Sequence, residues 1–212
     1  MLSTRLILAA ATLSIVVPVI AQTSTPAPAP AGPPGAPDAS RVVAGSYKVD
    51  VNHTQVVWTL DHLGITPLTG AFGASSGTLE IDPSKLSAAK VNVTFNIADI
   101  ATTSKGFTEH LLKADLFDVA KFTNASFTST AVVTNGTSAR VSGNLTIKGI
   151  TKPVTLDMKF YGAGANPLSK KLQVGFSGTA TIQRSDFGLG YSVPRVGDAV
   201  MLSLVGAFEK IG

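Results

Sequence analysis

Apolar and polar residues alternate with a period of two through most of this chain, and that pattern constrains the fold more than any other feature. Val56, Trp58, Leu60 and His62 share one parity, opposed by Val57, Thr59, Asp61 and Leu63. Val91, Val93, Phe95 and Ile97 oppose Lys90, Asn92, Thr94 and Asn96. The same alternation recurs at Val141, Leu145 and Ile147, at Val154, Leu156, Met158 and Phe160, and at Leu172, Val174, Phe176, Ala180 and Ile182. Val200, Leu202, Leu204 and Phe208 close the series. Side chains on a strand point alternately to opposite faces, so each run presents one apolar and one polar face. Tyr47 to Val51 and Thr69 to Ile81 read as two further strands. Repeated down a chain, this pattern specifies an antiparallel barrel or sandwich with one face of each strand inward. Asn135-Gly136, Gly149 and the stretch Gly162 to Pro167 supply turn signals between strands. Gly162-Ala163-Gly164-Ala165 reads as a flexible hairpin loop.

One stretch breaks the pattern. Residues Gly106 to Asp118 carry a helical spacing, and a short helix is expected near Lys105 to Lys113. Phe107 and Leu111 lie four apart on one side, with Leu112 beside them. So short a helix is not stable alone and must rest on other apolar surface. The reading is a cap over one end of the barrel, whose opening would admit a long ligand.

The N-terminal region has a different character. Arg5, the apolar run Leu6 to Ile20 and the small-residue site Val19-Ile20-Ala21 make residues 1–21 a secretory signal peptide. The run is short for a membrane-spanning helix. Residues 22–40 hold six of the chain's twelve prolines among Ala, Gly, Ser and Thr. Residues 22–45 therefore read as a Pro/Ala-rich disordered linker, and 46–212 as one barrel domain. The expected location is the periplasm or the exterior. No cysteine is present, so the domain folds without disulfides. The net charge of +4 looks scattered along the sequence. It gives nucleic-acid binding little support and offers modest attraction to anionic lipid surfaces.

Motifs for catalysis or metal binding are sparse. His53, His62 and His110 lack the spacing of a metal site. There is no Gly-x-Ser-x-Gly elbow, and Asp61 and His62 are strand neighbours pointing to opposite faces. No enzyme activity, metal or catalytic residue is expected. The question that remains is the interior. Gly143, Gly178, Gly206 and Ala180 lie on inward parity. Such small residues either leave room for a ligand or relieve strain where bent strands turn barrel corners. His62 and Arg184 end inward-facing runs near a mouth, where each would meet a polar head group or serve structure, the arginine by pairing with Asp186.

Three blocks in order carry a resemblance. They are Gly106-Phe107-Thr108-Glu109-His110-Leu111-Leu112-Lys113-Ala114-Asp115-Leu116-Phe117-Asp118 with the following Lys121 to Thr130, then Gly143-Asn144-Leu145-Thr146-Ile147-Lys148-Gly149-Ile150-Thr151-Lys152-Pro153-Val154, then Gln183-Arg184-Ser185-Asp186-Phe187-Gly188. From about Tyr47 onward the chain resembles the YceI-like family of polyisoprenoid-binding, lipocalin-like proteins of bacterial envelopes. The resemblance implies an all-β fold, an antiparallel lipocalin-like β-barrel of about eight strands with a short capping helix. It implies a bound polyisoprenoid or isoprenoid quinone as ligand, with no other cofactor. The expected ligand-binding residues are Val56, Trp58, Leu60, His62, Phe72, Val93, Phe95, Ile97, Phe107, Leu111, Leu112, Phe117, Phe127, Leu145, Ile147, Phe176 and Arg184. Expected partners are a long-chain isoprenoid lipid, a membrane surface touched transiently and a second copy in a homodimer. The competing readings are a ligand-free structural or stress-response barrel filled by its own side chains, and an envelope lipid hydrolase. Trp58 stands where the family more often has Phe, and Lys121-Phe122-Thr123-Asn124 lacks a proline common after the aromatic.

Overall fold

The strands close on themselves, and one interrupted stave explains how. In the computed structural model, which describes residues 32–211, nine strands follow one another as β1 (Gly45–Val49), β2 (Gln55–His62), β3 (Thr66–Ile81), β4 (Lys90–Asn96), β5 (Asn124–Asn135), β6 (Ser138–Ile147), β7 (Ile150–Ala165), β8 (Leu172–Gln183) and β9 (Ala199–Lys210). The expected signal peptide and the first part of the expected linker lie outside the described residues. Every pairing is antiparallel. Both β1 and β2 pair with β3 on one side and β9 on the other, so they form a single stave broken at residues 50–54. Long β3 pairs with β2 through Thr66–Gly73 and with β4 through Ala74–Glu80, and this second pairing closes an eight-stave barrel. Asp50 and Thr54 repair the break in the stave. The Asp50 carboxylate accepts from the Asn52 amide at 3.0 Å, and the Thr54 hydroxyl donates to Ala207 O at 3.0 Å.

The hairpins form where the turn residues stand. Gly136-Thr137 joins β5 to β6, and Lys148-Gly149 joins β6 to β7. Lys148 (φ 52°) and Gly149 (φ 75°) both occupy the left-handed region, the requirement of the two-residue turn that matches strand twist. Strand β5 has no clean alternation in the sequence. Its register shifts between Ser129 and Ala131, which reverses the parity of the apolar residues halfway along.

The stretch Gly162-Ala163-Gly164-Ala165 is not a loop. It is the end of β7, and the turn lies beyond it at 166–171. The physical reason is an unpaired edge. Pairing of β7 with β6 ends at Lys159, while its pairing with β8 continues to Ala165. Ala36 takes the vacant edge, with Ala36 N donating to Ala163 O at 3.1 Å and Ala163 N to Ala36 O at 2.9 Å. A Cβ at Gly164 would lie 2.5 Å from Pro34 O, and one at Gly162 would lie 2.9 Å from Ala36 O. The glycines permit this close backbone approach.

Residues 33–44, which composition assigns to the linker, are therefore built onto the barrel. A turn of 3-10 helix at Ala39–Arg41 follows, its first amides capped by Asp38, whose carboxylate accepts from Ser40 N at 3.0 Å. Val42 packs against the apolar core, and the Tyr47 hydroxyl donates to Val43 O at 2.5 Å.

Chain direction sorts the connections to two ends. One end carries the segment 33–44, residues 82–89, the β5–β6 hairpin and the 166–171 turn. The other carries residues 63–65, 97–123, 148–149 and 184–198, including the one α-helix among the described residues, α1 (Lys105–Leu111). Two clusters of buried residues lie within the barrel. Tyr47, Val49, Leu79, Val174 and Phe208 form one, and Trp58, Ile100, Leu111, Leu116, Ile182 and Phe187 form the other beneath the helix. The expected cap thus forms, with Ser104 accepting from Phe107 N at 3.3 Å as its N-cap.

Candidate functional site: an apolar cavity inside the barrel

Several inward-facing side chains remain only half-buried although the wall around them is closed. Phe72, Leu145, Leu156, Met158, Phe160, Phe176 and Leu202 all behave this way. They face a cavity of about 370 Å³ whose wall is almost entirely apolar. Of the residues expected to bind ligand, Val56, Trp58, Phe72, Val93, Phe95, Ile97, Phe117, Phe127, Leu145, Ile147 and Phe176 line it. Sequence reasoning did not include Leu79, Ile81, Val91, Val141, Leu156, Met158, Phe160, Ile182, Leu202, Leu204 and Phe208, which share the wall. Most of these lie on the inward parity already visible in the chain.

Leu60, His62, Phe107, Leu111, Leu112 and Arg184 are not part of this wall. Leu60, Phe107, Leu111 and Leu112 belong to the cluster under the helix, where the Phe107 ring meets Trp58 edge-on at 6.5 Å. His62 pairs with Thr66 across the β2–β3 turn.

Arg184 does not sit at a mouth. It is buried, with 6% of its surface exposed. Its guanidinium donates to Gly197 O at 2.8 Å through Nε, to Val196 O at 2.9 Å through Nη2, and to Leu189 O through Nη1. Three carbonyls of one loop are thereby held by one planar donor fork. Burial pulls its pKa below the usual arginine value, and the charge of Asp198 opposes that. Among the described residues no carboxylate forms an ion pair with Arg184, Asp186 included; the negative charge it feels is that of Asp198. The Ser185 hydroxyl, at 2.6 Å, holds the Asp198 carboxyl below the ordinary carboxylate range.

The inward glycines have a use that neither earlier alternative covers. A Cβ on Gly143 would collide with the Phe127 ring and lie 2.5 Å from Thr128 O. At Gly178 it would collide with the Met158 sulfur and lie 2.5 Å from Asp157 O. Gly70 receives the Trp58 ring in the same way. Gly143, Gly178 and Gly70 are each a seat for a large neighbour, so the space they leave is already filled, whereas Gly206 lines the cavity. The cavity arises instead from the barrel's width, which the half-buried inward side chains do not bridge. Among the described residues, the buried side-chain polar atom without a hydrogen-bond partner is the indole Nε1 of Trp58.

The cavity differs between its two ends. Its inner part is bounded by Trp58, Phe72, Phe117, Leu145, Ile147 and Ile182, none of them exposed. Most exposed lining residues, Ala39, Pro83, Lys90, Thr134, Gly136, Thr137 and Ser138, gather at the end opposite α1, beside Val42 and Leu86, while Gln55 and Val205 are exposed where they pair at mid-barrel. The helix closes the inner end of the cavity, and most of its exposed lining residues stand at the far end, away from the entrance expected beneath the helix. Phe107→Ala with Leu111→Ala should lower stability by about 2–5 kcal/mol, because buried apolar groups are deleted. Release of a fluorescent prenyl analogue, timed well below the melting temperature, should match wild type. Accelerated release would restore the helix as the gate.

An eight-stave antiparallel barrel with an apolar interior, a polar exterior and one plugged end defines the architecture. The YceI-like domain model matches residues 47–208, and the chain belongs to that family. It is 40% identical over 149 residues to Protein YceI of Salmonella arizonae, covering 69% of this chain and 78% of the relative. Among solved structures, Burkholderia cenocepacia BcnA superposes with a TM-score of 0.65 at 26% identity, over 75% of this chain and 98% of that one. The Campylobacter jejuni YCEI protein gives 0.63 at 28% identity, over 72% and 90%. A polyisoprenoid binding domain from Saccharophagus degradans shares the fold, with a TM-score of 0.60 at 13% identity over 78% and 98%.

Proposed function

We propose that this protein binds a long isoprenoid lipid or isoprenoid quinone in its barrel and, after export, sequesters or carries that chain through an aqueous envelope compartment. The observation that carries the reading is the apolar cavity of about 370 Å³ inside the barrel. An isoprenoid tail has no hydrogen-bonding groups and asks only for a dry wall. Each buried methylene-sized unit contributes about 0.8 kcal/mol, so a partly buried tail is held firmly. A cavity of ~150 Å³ takes one benzene. At that density the cavity here receives on the order of fifteen carbons. A longer chain must extend through the mouth or widen the barrel. Of the polar lining residues, Lys90, Thr134, Thr137 and Ser138 stand at the mouth, which suits a tail-first entry with the head group near them, while Thr54 and Gln55 lie at the break between β1 and β2. Membership of the YceI-like family, and the polyisoprenoid binding domain among its structural neighbours, add support.

The full chain should be expressed in a bacterium, recovered from the periplasm and extracted with organic solvent for mass spectrometry. The expected result is a protein beginning near Gln22 that releases a prenyl lipid. An uncleaved chain in the inner membrane would refute export. A periplasmic protein free of lipid would favour the self-filled barrel.

A further inference from the structure

The charges of the barrel divide unevenly between its two ends. The mouth-end segments (33–45, 82–90, 134–138, 166–171 and 209–211) hold six cations, Arg41, Lys85, Lys90, Lys170, Lys171 and Lys210, against three carboxylates, Asp38, Asp82 and Glu209. The helix-end segments (62–66, 97–123, 147–150 and 184–198) hold six cations and six carboxylates. The staves between are balanced, with four of each. The positive excess of the barrel therefore resides at its mouth.

Three of these cations have no carboxylate partner. Arg41 pairs with Asp38 and Lys171 with Glu209, but among the described residues no carboxylate lies within ion-pair distance of Lys85, Lys90 or Lys170; Lys90 stands opposite Glu80 in register, and Lys170 Nζ donates to Pro167 O at 2.6 Å. All three side chains are exposed, and Lys90 also lines the cavity. Between Pro167 and Lys170 the chain presents Leu168 with 91% of its surface exposed. Asn166 fixes that presentation, its side-chain oxygen accepting from Leu168 N at 2.8 Å and Ser169 N at 3.3 Å. Val43 and Ile211, about half exposed, stand at the same end. Lysines without carboxylate partners at the same end as exposed apolar tips are the chemistry of a surface that rests on anionic lipid headgroups, the cations meeting phosphates and the tips entering the acyl boundary.

We infer that the mouth end of the barrel, through Lys85, Lys90, Lys170 and Leu168, docks on an anionic bilayer. The cavity opening is thereby held against the membrane, so an apolar chain passes between the two without crossing water. This rests on the binding role proposed above only for the identity of the cargo; the docking itself is independent of it.

The test uses protein purified after expression of the full chain, and sedimentation with vesicles that contain no isoprenoid. Vesicles of equal parts phosphatidylglycerol and phosphatidylcholine should bind it, and pure phosphatidylcholine vesicles should bind it much more weakly. Lys85→Gln with Lys90→Gln and Lys170→Gln should weaken binding on the order of 100-fold. Lys105→Gln with Lys113→Gln and Arg195→Gln, at the helix end, should change it little. Leu168→Ser should reduce binding even at an ionic strength that screens the lysines. Equal affinity for the two vesicle types, or equal loss in both triple variants, would overturn the docking. Failure of the cargo reading would show separately, as absence of extracted prenyl lipid from a protein that still sediments.

Discussion

Arg184→Ala is expected to lower stability by about 3–5 kcal/mol, since each carbonyl that loses its donor costs about 1–3 kcal/mol. For a chain of this size that corresponds to roughly 10–15 °C in melting temperature. The guanidinium is buried and is the common donor to the carbonyls of Leu189, Val196 and Gly197. Its removal leaves three carbonyls of the helix-end loop without that donor. Arg184→Lys should recover little, since an ammonium cannot reproduce the planar fork. Lipid occupancy per folded molecule should be unchanged, because Arg184 does not line the cavity. Calorimetry and extracted lipid together check this. Equal stability with lost lipid would instead make the arginine a ligand contact. Acid should act on the same corner. The Asp198 pKa is depressed in the folded state, so its stabilisation is present above the unfolded value of about 3.9 and is lost as pH falls through the folded value.

Filling the cavity should have the opposite signature. Ala125 and Val141 are buried and line the wall from neighbouring strands β5 and β6. Ala125→Phe with Val141→Phe should cut prenyl-lipid occupancy at least tenfold, because the added rings take the volume the tail would use. In a filled core such overpacking costs about 1–3 kcal/mol per site. Here the loss should be smaller, since the rings enter open space. Mass spectrometry of the extract, set beside thermal unfolding, separates the outcomes. Unchanged lipid in a stable double variant would show that the cavity is not the binding site; collapse of the fold would show that there was no spare volume.

Much of this architecture is legible in the order of residues. A strand's side chains obey a strict period of two, so the inward parity of Val56, Val93, Leu145 and Phe176 follows from the pattern alone, as do the hairpins at Asn135-Gly136 and Lys148-Gly149. The helix at Lys105 was readable because its spacing departs from that period. Strand β5 was less readable, because its bulge reverses parity within one segment. Gly162 to Ala165 misled for a related reason: glycine marks a turn and a close backbone approach equally well, and only the arrival of Ala36 at the open edge of β7 separates the two.

Other features exist only in three dimensions. Volume is not a property of one strand, so the glycines at 143 and 178 suggest space that Phe127 and Met158 occupy. Arg184 stood on inward parity like a ligand contact, but the end of a strand can turn its side chain into the adjoining loop, and three carbonyls were waiting there. The end at which the cavity's exposed lining residues stand is likewise invisible in the sequence, because the order of residues does not say which set of loops covers a barrel. Charge is the clearest case. Lys85, Lys90, Lys170, Lys171 and Lys210 are spread over more than half the chain and look unremarkable in order. The up-and-down course of the strands returns the chain to the same end every second connection, and that alternation brings them together around the opening.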